Sequence, residues 1–474
     1  MAWIKRIIFS AMALVALIAF LLGSRPTEEV APPGFTVVEY WEKWVGNEAA
    51  QMKVIVDDFN HTVGQQKKIY VRYMSMSDID QKTLIAVSAG VPPDIAGLWD
   101  QQLGGFAALG ALEPLDNLAT QHGITAKSYL PVFWNACHYN GHLYGLVSTP
   151  GTIALIYNKL IFEQSAAKLR AAGLDPNRAP TTLAEFDRYA AALDLRDSSG
   201  QIDRVGYLPL QSWYHPLISY WFGGDIFDPK THHFTLTSPA TVHAYQWMQS
   251  YSTRLGQRTL IDFQNSLGAF DAPNNPFLVG KLVMEQQGPW MASYIQNLKP
   301  SMSEILVPKS EEYKLPDRRA NYAWAVAPFP SAVPGEDDIS YNSFDVLVIP
   351  ANAPHPREAF EFLAYVNRQD VAEKLCTLQS KNCQLAHVSA AFLKNHPNPY
   401  IDVYQKLAAS PHARAVPSVP IWPEVFKELT DTAQNITLSG ADVTTALAAA
   451  QQRMQERYDR FHRIELARQR AGLN

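Results

Sequence analysis

Tryptophan residues stand beside carboxylates at two places early in the chain, and this combination has the chemistry of ligand binding. Trp41, Glu42 and Trp44 lie within four positions, and Trp99 is followed directly by Asp100. An indole ring covers an apolar face, while a carboxyl group hydrogen bonds to a polar group at a fixed position. We therefore expect these five residues to contact a ligand with apolar C–H faces and hydroxyl groups, as a sugar has. The alternative is structural, with Trp41 in a core and Trp44 packed against the next helix.

Two later aromatic positions are candidates of the same kind. Trp213 and Tyr214 lie in a turn-rich segment, and Trp422 lies one residue before Pro423. We expect one of the first two rings to stack on the ligand, whereas the nearby Trp221 and Phe222 suit a core. Trp422 is the weaker candidate.

The sequence lacks the motifs of the common catalytic and cofactor sites. It contains no nucleophile elbow, no phosphate-binding Walker loop, no glycine-rich dinucleotide turn and no His-Glu-x-x-His pair. His138 and His142 are four residues apart, but the Asn140-Gly141 turn between them excludes a helical metal pair. We expect binding without chemistry, without a cofactor and without a metal. A polysaccharide-cleaving enzyme that uses Glu42 and Asp100 as its two carboxyl groups is the alternative class.

Composition limits the class of partner. The chain has 474 residues, a net charge of −5 and 18% charged residues. This balance disfavours nucleic-acid binding, which depends on dense Lys and Arg. The length predicts two domains of roughly 200 residues each. We expect a monomer whose partner is a small molecule.

The N-terminus has the pattern of an export signal. Lys5 and Arg6 precede an apolar run from Ile7 to Leu22. We expect residues 1–24 to be a cleaved signal peptide or an uncleaved membrane anchor, followed by a linker at 25–34. Both readings place the rest of the protein outside the cytoplasm, in the periplasm or at the cell surface.

Three cysteines are too few for a disulfide scaffold. In an oxidising compartment, Cys376 and Cys383 are close enough in sequence to close a short loop, so their disulfide is one expectation. Free thiols are the other. Cys137 has the character of a small buried residue.

Alternating strands and helices must position the candidate residues. Residues 35–41 read as a buried strand, 68–73 as a second strand, and the helix between them has an apolar face at Met52, Ile55, Val56 and Phe59. A strand, a helix and a strand in succession predict a parallel pair, which places Trp41 and Trp99 at the carboxyl edge of one sheet. Further helices are predicted from Thr182, from Pro239, from Pro356 and over 442–463.

The order of the motifs resembles one family, the family 1 extracellular solute-binding proteins of ABC importers, whose members bind maltose, oligosaccharides or glycerol 3-phosphate. The similarity covers most of residues 35–390. It is carried by seven segments in the family's order: 40–44, 84–95, 110–116, 139–145 with 155–159, 277–284, 287–290, and 324–330 with 346–350. Ser24 stands where many members have a lipid-bearing cysteine after the signal, so the resemblance does not extend to lipid anchoring.

The resemblance implies an α/β fold of two lobes, each a mostly parallel sheet flanked by helices. The first lobe takes 35–150 with 346–388, and the second takes 151–345 with 389–474. The ligand lies between the lobes, which close on it about a hinge. The partners implied are a mono- or oligosaccharide and the membrane permease of an ABC importer. A membrane-anchored receptor that reports the sugar to a sensor protein has the same sequence pattern and stays an alternative.

The resemblance also adds site residues. Trp290 occupies the position of a stacking aromatic in maltose-binding relatives. Polar residues precede the strand that is expected to cross between the lobes over 346–350, which makes them candidates beside the hinge. These residues are Tyr341, Asn342, Ser343 and Asp345.

Overall fold

A computed structural model describes residues 31–303, 319 and 322–470. The predicted signal or anchor at 1–24 lies outside these residues, as does most of the predicted linker. The strands are β1 Thr36–Glu42, β2 Ile69–Ser75, β3 Ile95–Trp99, β4 His138–Tyr139, β5 His142–Leu143, β6 Gly145–Thr152, β7 Ala154–Asn158, β8 Leu195–Arg196, β9 Ile202–Arg204, β10 Phe227–Asp228, β11 His233–Phe234, β12 Met284–Gln287, β13 Trp324–Ala327, β14 Ser340–Val348 and β15 Ala413–Arg414.

Helices fill most of the chain between these strands. The α-helices are Gly46–His61, Val63–Lys67, Ile79–Ser88, Asp100–Ala108, Asp116–Gln121, Pro131–Ala136, Lys159–Gln164, Ala166–Ala171, Leu183–Leu193, Pro239–Leu255, Gln257–Asn265, Met291–Leu298, Pro356–Val366, Gln369–Leu378, Ala390–Asn395, Ile401–Ala408, Trp422–Ser439 and Val443–Arg470. Short 3-10 helices span Ala126–Ser128, Pro209–Gln211, His215–Phe222 and Pro300–Met302.

Local sequence signals form as predicted. The side chains of Thr182 and Ser238 each accept a hydrogen bond from a backbone N–H in the first turn of the helix that follows. Asn140 and Gly141 have φ values of 47° and 84°, which the two-residue turn between β4 and β5 requires. These caps and this turn fix where the chain reverses around the larger elements.

The first sheet contains the predicted parallel strands. Its strand order is β15-β14-β3-β1-β2, and β6 pairs with β14. β1 runs parallel to both β2 and β3, whereas β14 runs antiparallel to β3 and β6. The apolar face predicted for the helix Gly46–His61 is buried against this sheet. The carboxyl ends of β1 and β3 therefore lie side by side.

A second sheet belongs to another part of the molecule. β7 pairs antiparallel with β12 on one side and with β13 on the other. The chain reaches β7 directly from β6, and the two later strands return alongside it. The expectation of a mostly parallel sheet in each lobe is therefore wrong for this sheet, whose strands are antiparallel.

Two large hydrophobic cores surround the two sheets. One core draws on 38–147 and 344–375, with Ala408, and the other on 153–341 and 400–458. Burial of this much apolar surface is the main force that holds each part together. The chain passes between the cores at 147–153, at 341–344 and at 375–400. The lobe boundaries expected from the sequence, near 150, 345 and 388, remain predictions that agree with these passages.

The hinge region is built from paired strands. Asn342 to Asp345 of β14 pair with Thr149 to Thr152 of β6, with a register shift after Asp345. β14 therefore begins several residues before the predicted strand at 346, and the polar residues expected in a loop lie within it. They form a strand because β6 lies beside them and satisfies their backbone groups. Asn382 from the third passage hydrogen bonds to the backbone N–H of Thr152 at 3.2 Å.

All three cysteines are free, buried thiols. Cys376 and Cys383 lie in the same small core, and both Sγ atoms are within 3.8 Å of the Gln384 side-chain oxygen. Their disulfide stays a prediction. Within the described residues, no helix combines the length and apolar character needed to span a membrane.

Candidate ligand-binding cleft

A cavity of about 720 Å³ lies between the two cores and is lined by residues from both. This volume falls within the range that small-molecule sites occupy. Eight of the residues expected from the sequence line it: Trp44, Trp99, Asp100, Trp213, Tyr214, Trp290, Ser343 and Asp345.

The first sheet positions one wall of the cavity. β1 ends at Glu42, so Lys43 and Trp44 emerge at its carboxyl edge, and β3 ends at Trp99 beside them. Asp100 begins the helix that follows β3. Carboxyl ends of adjacent parallel strands form the crevice in which open α/β sheets place ligands, as expected from the sequence.

The opposite wall comes from the second core and is aromatic. Trp213 contacts Phe270 with ring centroids 4.6 Å apart, and Phe270 contacts Tyr294 at the same separation. Trp99 is 49% exposed and Trp213 is 51% exposed, although large apolar side chains are normally covered. Two exposed indoles that face one cavity from two cores are suited to stacking on a ligand placed between them.

Trp290 lies at the base of the cleft, directly before the helix Met291–Leu298. Its ring rests against two glycines, because a Cβ on either Gly151 or Gly288 would collide with the indole. Gly151 belongs to β6 in the hinge. Trp290 therefore lines the cavity and touches one of the passages between the cores.

A buried ionic network forms the floor of the cleft. Asp345 accepts from Lys43 at 3.0 Å and from Lys381 at 2.9 Å, one ammonium on each carboxylate oxygen. Thr149 also donates to Asp345 at 3.0 Å. Burial alone would raise the pKa of the Asp345 carboxyl, but the two ammonium groups overcome it and hold the pKa below its usual range. Asp345 is therefore ionised at any physiological pH.

Both lysines are engaged mainly by groups of the protein. Lys43 Nζ also contacts Glu42 at 3.3 Å and donates to the Leu98 carbonyl at 3.0 Å. Lys381 Nζ also donates to Thr149 at 3.2 Å and lies 3.6 Å from Glu48. An ammonium group has three donors. Those of Lys43 all have an acceptor in the protein, whereas Lys381 makes two hydrogen bonds and is ion-paired with Glu48.

The same ammonium groups contact the tryptophans. Lys43 Nζ lies 5.0 Å from the Trp44 ring centre and 5.3 Å from that of Trp99, and Lys381 Nζ lies 5.3 Å from that of Trp44. These distances are within cation–π range. The ionic network therefore helps to hold Trp44 and Trp99 in place.

Five of the expected site residues do not line this cavity. The Glu42 carboxylate points inward, where the Tyr40 hydroxyl and the Lys43 backbone N–H donate to it. Trp41 projects from the other face of β1 and lines a separate groove beside the helix Ile79–Ser88. Side chains alternate between the faces of a strand, so Trp41 and Glu42 point in opposite directions.

The other three are buried. Tyr341 is fully buried beneath the rings of Tyr214 and Tyr220. Asn342 is tied to Thr152 at 2.7 Å and to the Arg414 carbonyl at 3.2 Å. Trp422 is 1% exposed and lies in the second core.

Several cleft residues were not among the sequence candidates. They are Lys43, Lys381, His215, Phe270 and Tyr294. Lys43 lies inside the Trp41 to Trp44 cluster, and this position in the sequence could have identified it as a cleft residue. His215 directly follows the candidates Trp213 and Tyr214, so its position was a signal too. Lys381, Phe270 and Tyr294 come from segments with no local pattern of a binding site, and only the fold brings them to the cavity.

Within the described residues, no group of three or more His, Cys, Asp or Glu is arranged to hold a metal ion. The histidines at 138 and 142 lie on the two strands of the β4–β5 hairpin, as the turn predicted. The chemistry that this cleft offers is stacking and hydrogen bonding.

Comparison with known proteins identifies the family. The sequence model of the family described as bacterial extracellular solute-binding protein matches residues 54–382. A maltotriose-binding protein of Pyrococcus abyssi is 22% identical over 261 residues, which are 55% of this chain. That match spans about half of the relative's length, 51%.

Solved structures share the fold. The structure of CpMnBP1 with mannobiose bound has a TM-score of 0.71 at 23% identity and covers 88% of this chain and 98% of its own. The sugar-binding protein MalE of Xanthomonas citri also has a TM-score of 0.71, at 20% identity, with coverage of 90% and 99%. This chain therefore has the two-lobed fold of periplasmic binding proteins, as the sequence resemblance implied, and belongs to the bacterial extracellular solute-binding protein family.

Proposed function

We propose that this protein is the extracytoplasmic binding component of an ABC importer and that it captures a mono- or oligosaccharide between its lobes. One observation carries the proposal: Trp99 and Trp213, both about half exposed, face the same interlobe cavity. Indole faces stack on the apolar faces of sugar rings, and the polar floor of the cleft offers hydrogen bonds to hydroxyl groups.

Binding is coupled to lobe closure in this proposal. The lobes are 35–150 with 346–388 and 151–345 with 389–474, joined by the strand pair of β6 and β14. A sugar that contacts both walls favours the closed form by its greater affinity for that form. The closed monomer then presents the sugar to the membrane permease.

The arrangement of carboxyl groups supports binding without catalysis. Glu42 is fully buried and directed away from the cavity that Asp100 lines. Two carboxyl groups that flank one glycosidic bond are required for hydrolysis. This pair does not meet that requirement.

A thermal-shift screen against mono- and oligosaccharides tests the proposal, because a ligand that binds the folded state raises its melting temperature. For each sugar that raises it, small-angle scattering should show a smaller radius of gyration at saturation. Binding that leaves the radius unchanged would refute closure. If no sugar raises the melting temperature, the proposed ligand class is wrong.

Export is tested separately by fractionation. The protein should be found in the membrane if residues 1–24 are retained as an anchor. If these residues are removed, the shortened protein should be found in the periplasm. A full-length protein in the cytoplasm would contradict the proposed location.

A further inference from the structure

Several polar atoms in the wall of the cleft are buried and make no close hydrogen bond within the protein, and two of them lie on titratable side chains. They are Nε2 of His215 and Oδ2 of Asp100. His215 is 8% exposed and Asp100 is 6% exposed. A buried polar atom without a partner costs free energy, so such an atom in a ligand cavity is a place where a ligand atom would bind.

The His215 ring presents an acceptor to the cavity. Its Nδ1 lies 2.7 Å from the Ser212 carbonyl oxygen, to which it can bond only as a donor. Burial lowers the pKa of His215 to about 4, which keeps the ring neutral at pH 7. In the neutral ring with a proton on Nδ1, the free Nε2 carries a lone pair. It therefore accepts a hydrogen bond.

The Asp100 side chain is a neutral acid. Burial raises its pKa to about 8, and the nearby Asp345 carboxylate adds to this effect, while the Gln101 backbone N–H, Lys43 and a hydrogen bond from the Tyr341 hydroxyl oppose it. A protonated carboxyl group both donates and accepts hydrogen bonds. The Trp290 indole N–H, also buried and without a partner, adds a donor to the same cavity.

The charged groups of the cleft are already neutralised by one another. Lys43 and Lys381 share the Asp345 carboxylate, and each is also paired with a second carboxylate, Glu42 for Lys43 and Glu48 for Lys381. Glu48, whose side chain is 45% exposed, also lines the cavity. A ligand carboxylate or phosphate would find no free cation among these groups and would face an exposed carboxylate.

We infer that the cleft selects an uncharged polyhydroxylated ligand, and that His215 and Asp100 bind its hydroxyl groups as a neutral acceptor and a neutral acid. This inference rests on the carbohydrate-binding function proposed above. A hydroxyl group both donates and accepts hydrogen bonds. It can therefore pair with the His215 acceptor, with the Trp290 donor and with the Asp100 acid, which is both. A uronic acid or a sugar phosphate does not fit, since its charge has no partner.

Matched variants test the two residues by titration calorimetry with maltotriose and mannobiose as neutral probes. His215→Phe removes the acceptor but keeps a ring, whereas His215→Gln keeps an acceptor oxygen. Asp100→Leu removes the hydrogen bonds, whereas Asp100→Asn keeps a neutral donor and acceptor. His233→Phe, at an exposed position on β11, is the control.

We expect His215→Phe and Asp100→Leu to weaken binding of a bound probe by about 10- to 100-fold. His215→Gln and Asp100→Asn should stay within about 5-fold of the parent, a loss of less than one hydrogen bond. Equal weakening by His215→Phe and His215→Gln would overturn the acceptor role. A large loss in Asp100→Asn would show that the ionised carboxylate is needed. Melting curves identify any variant that fails to fold. If His215→Phe or Asp100→Leu fails to fold, the affinities of His215→Gln and Asp100→Asn decide the question.

A charged probe separates this inference from the proposed function. Digalacturonate should bind more weakly than either neutral sugar, or not at all. If digalacturonate binds more tightly, the inference is wrong but carbohydrate binding stands. If neither the neutral nor the charged sugars bind, both are wrong.

Discussion

The indole of Trp290 rests on the backbone of Gly151, so closely that a side chain at position 151 would displace it. The contact joins a ring in the ligand cavity to a strand that passes between the lobes. If the lobes close about this strand, as proposed, the ring is positioned to move with it. A substitution at position 290 removes the ring, whereas a substitution at position 151 displaces it.

Trp290→Ala should weaken binding of the cognate sugar by about 5- to 150-fold, because stacking and buried area worth roughly 1 to 3 kcal/mol are lost. Gly151→Ala should have a comparable effect with the indole still present, since its Cβ displaces the ring. Titration calorimetry and melting curves measure both. A large fall in melting temperature with affinity intact would assign Trp290 to the core.

Trp99 and Trp422 form a matched pair of tryptophans, one exposed in the cleft and one buried. Trp99→Ala should lower sugar affinity with little change in stability. Trp422→Ala should lower the free energy of unfolding by about 3 to 5 kcal/mol, the cost of truncating a core aromatic residue. Chemical denaturation beside a binding titration distinguishes them. The reverse pattern would show that Trp99 supports the fold and does not bind the sugar.

Asp345→Asn should destabilise the protein by about 3 to 5 kcal/mol, because two buried ammonium groups lose their counterion. Asp57→Asn is the control, since Asp57 pairs with Lys53 at 2.7 Å on a solvent-exposed helix and should cost less than about 1 kcal/mol. Urea denaturation compares the two. Similar losses would mean that the cleft network contributes no more than a surface pair.

The Asp345 contribution should depend on pH in a defined direction. Its pKa is lowered in the folded protein, so its stabilisation is complete above the pKa of the unfolded chain and is lost as the pH falls. The parent protein should therefore lose more stability on acidification than Asp345→Asn does.

Glu285 should give the opposite pH dependence. It is buried on β12 with one carboxyl oxygen unpaired, and burial raises its pKa to about 8. The folded state then holds a proton that the unfolded state has released, so stability falls as the pH rises from about 4.5 to about 8. Glu285→Gln should remove this fall and be the more stable form at pH 9. If the free energy of unfolding changes with pH equally in the two proteins between pH 5 and pH 9, this role of Glu285 is contradicted.

Cys376 and Cys383 should form a disulfide when the protein is exported. Burial raises the pKa of the Cys376 thiol, so the folded core resists oxidation and the bond has to form during folding. Intact-mass analysis after alkylation of the denatured protein should then find one modified thiol, that of Cys137. Three alkylated thiols in protein taken from the periplasm would show that the pair stays reduced.

Elements with a local signature were predictable from the sequence. The first parallel strands and the helix between them follow from apolar periodicity, and the cleft positions of Trp99 and Asp100 follow from where β3 ends. Capping residues and the Asn140-Gly141 turn determine the backbone conformation only of residues a few positions away in sequence. Each of these features depends on neighbours in sequence.

Features that depend on distant partners were not predictable. The polar stretch from Tyr341 to Asp345 has no apolar pattern of a strand, and it becomes one because β6 lies alongside. Lys381 reaches the cleft only because Asp345 lies beneath it. Trp422 and Trp99 are alike in sequence, and tertiary packing alone makes one a core residue and the other a candidate binding residue.

The position of β14 has a consequence for how the chain folds. β14 lies between β3 and β6 in the first sheet, yet most of the second lobe precedes it in sequence. Until β14 is synthesised, β3 and β6 each lack a neighbour, and the first lobe has an open edge. The nascent chain therefore cannot complete either lobe early. Pairing between segments so far apart in sequence is slow, so the chain spends longer with this sheet edge unpaired before it reaches the folded state.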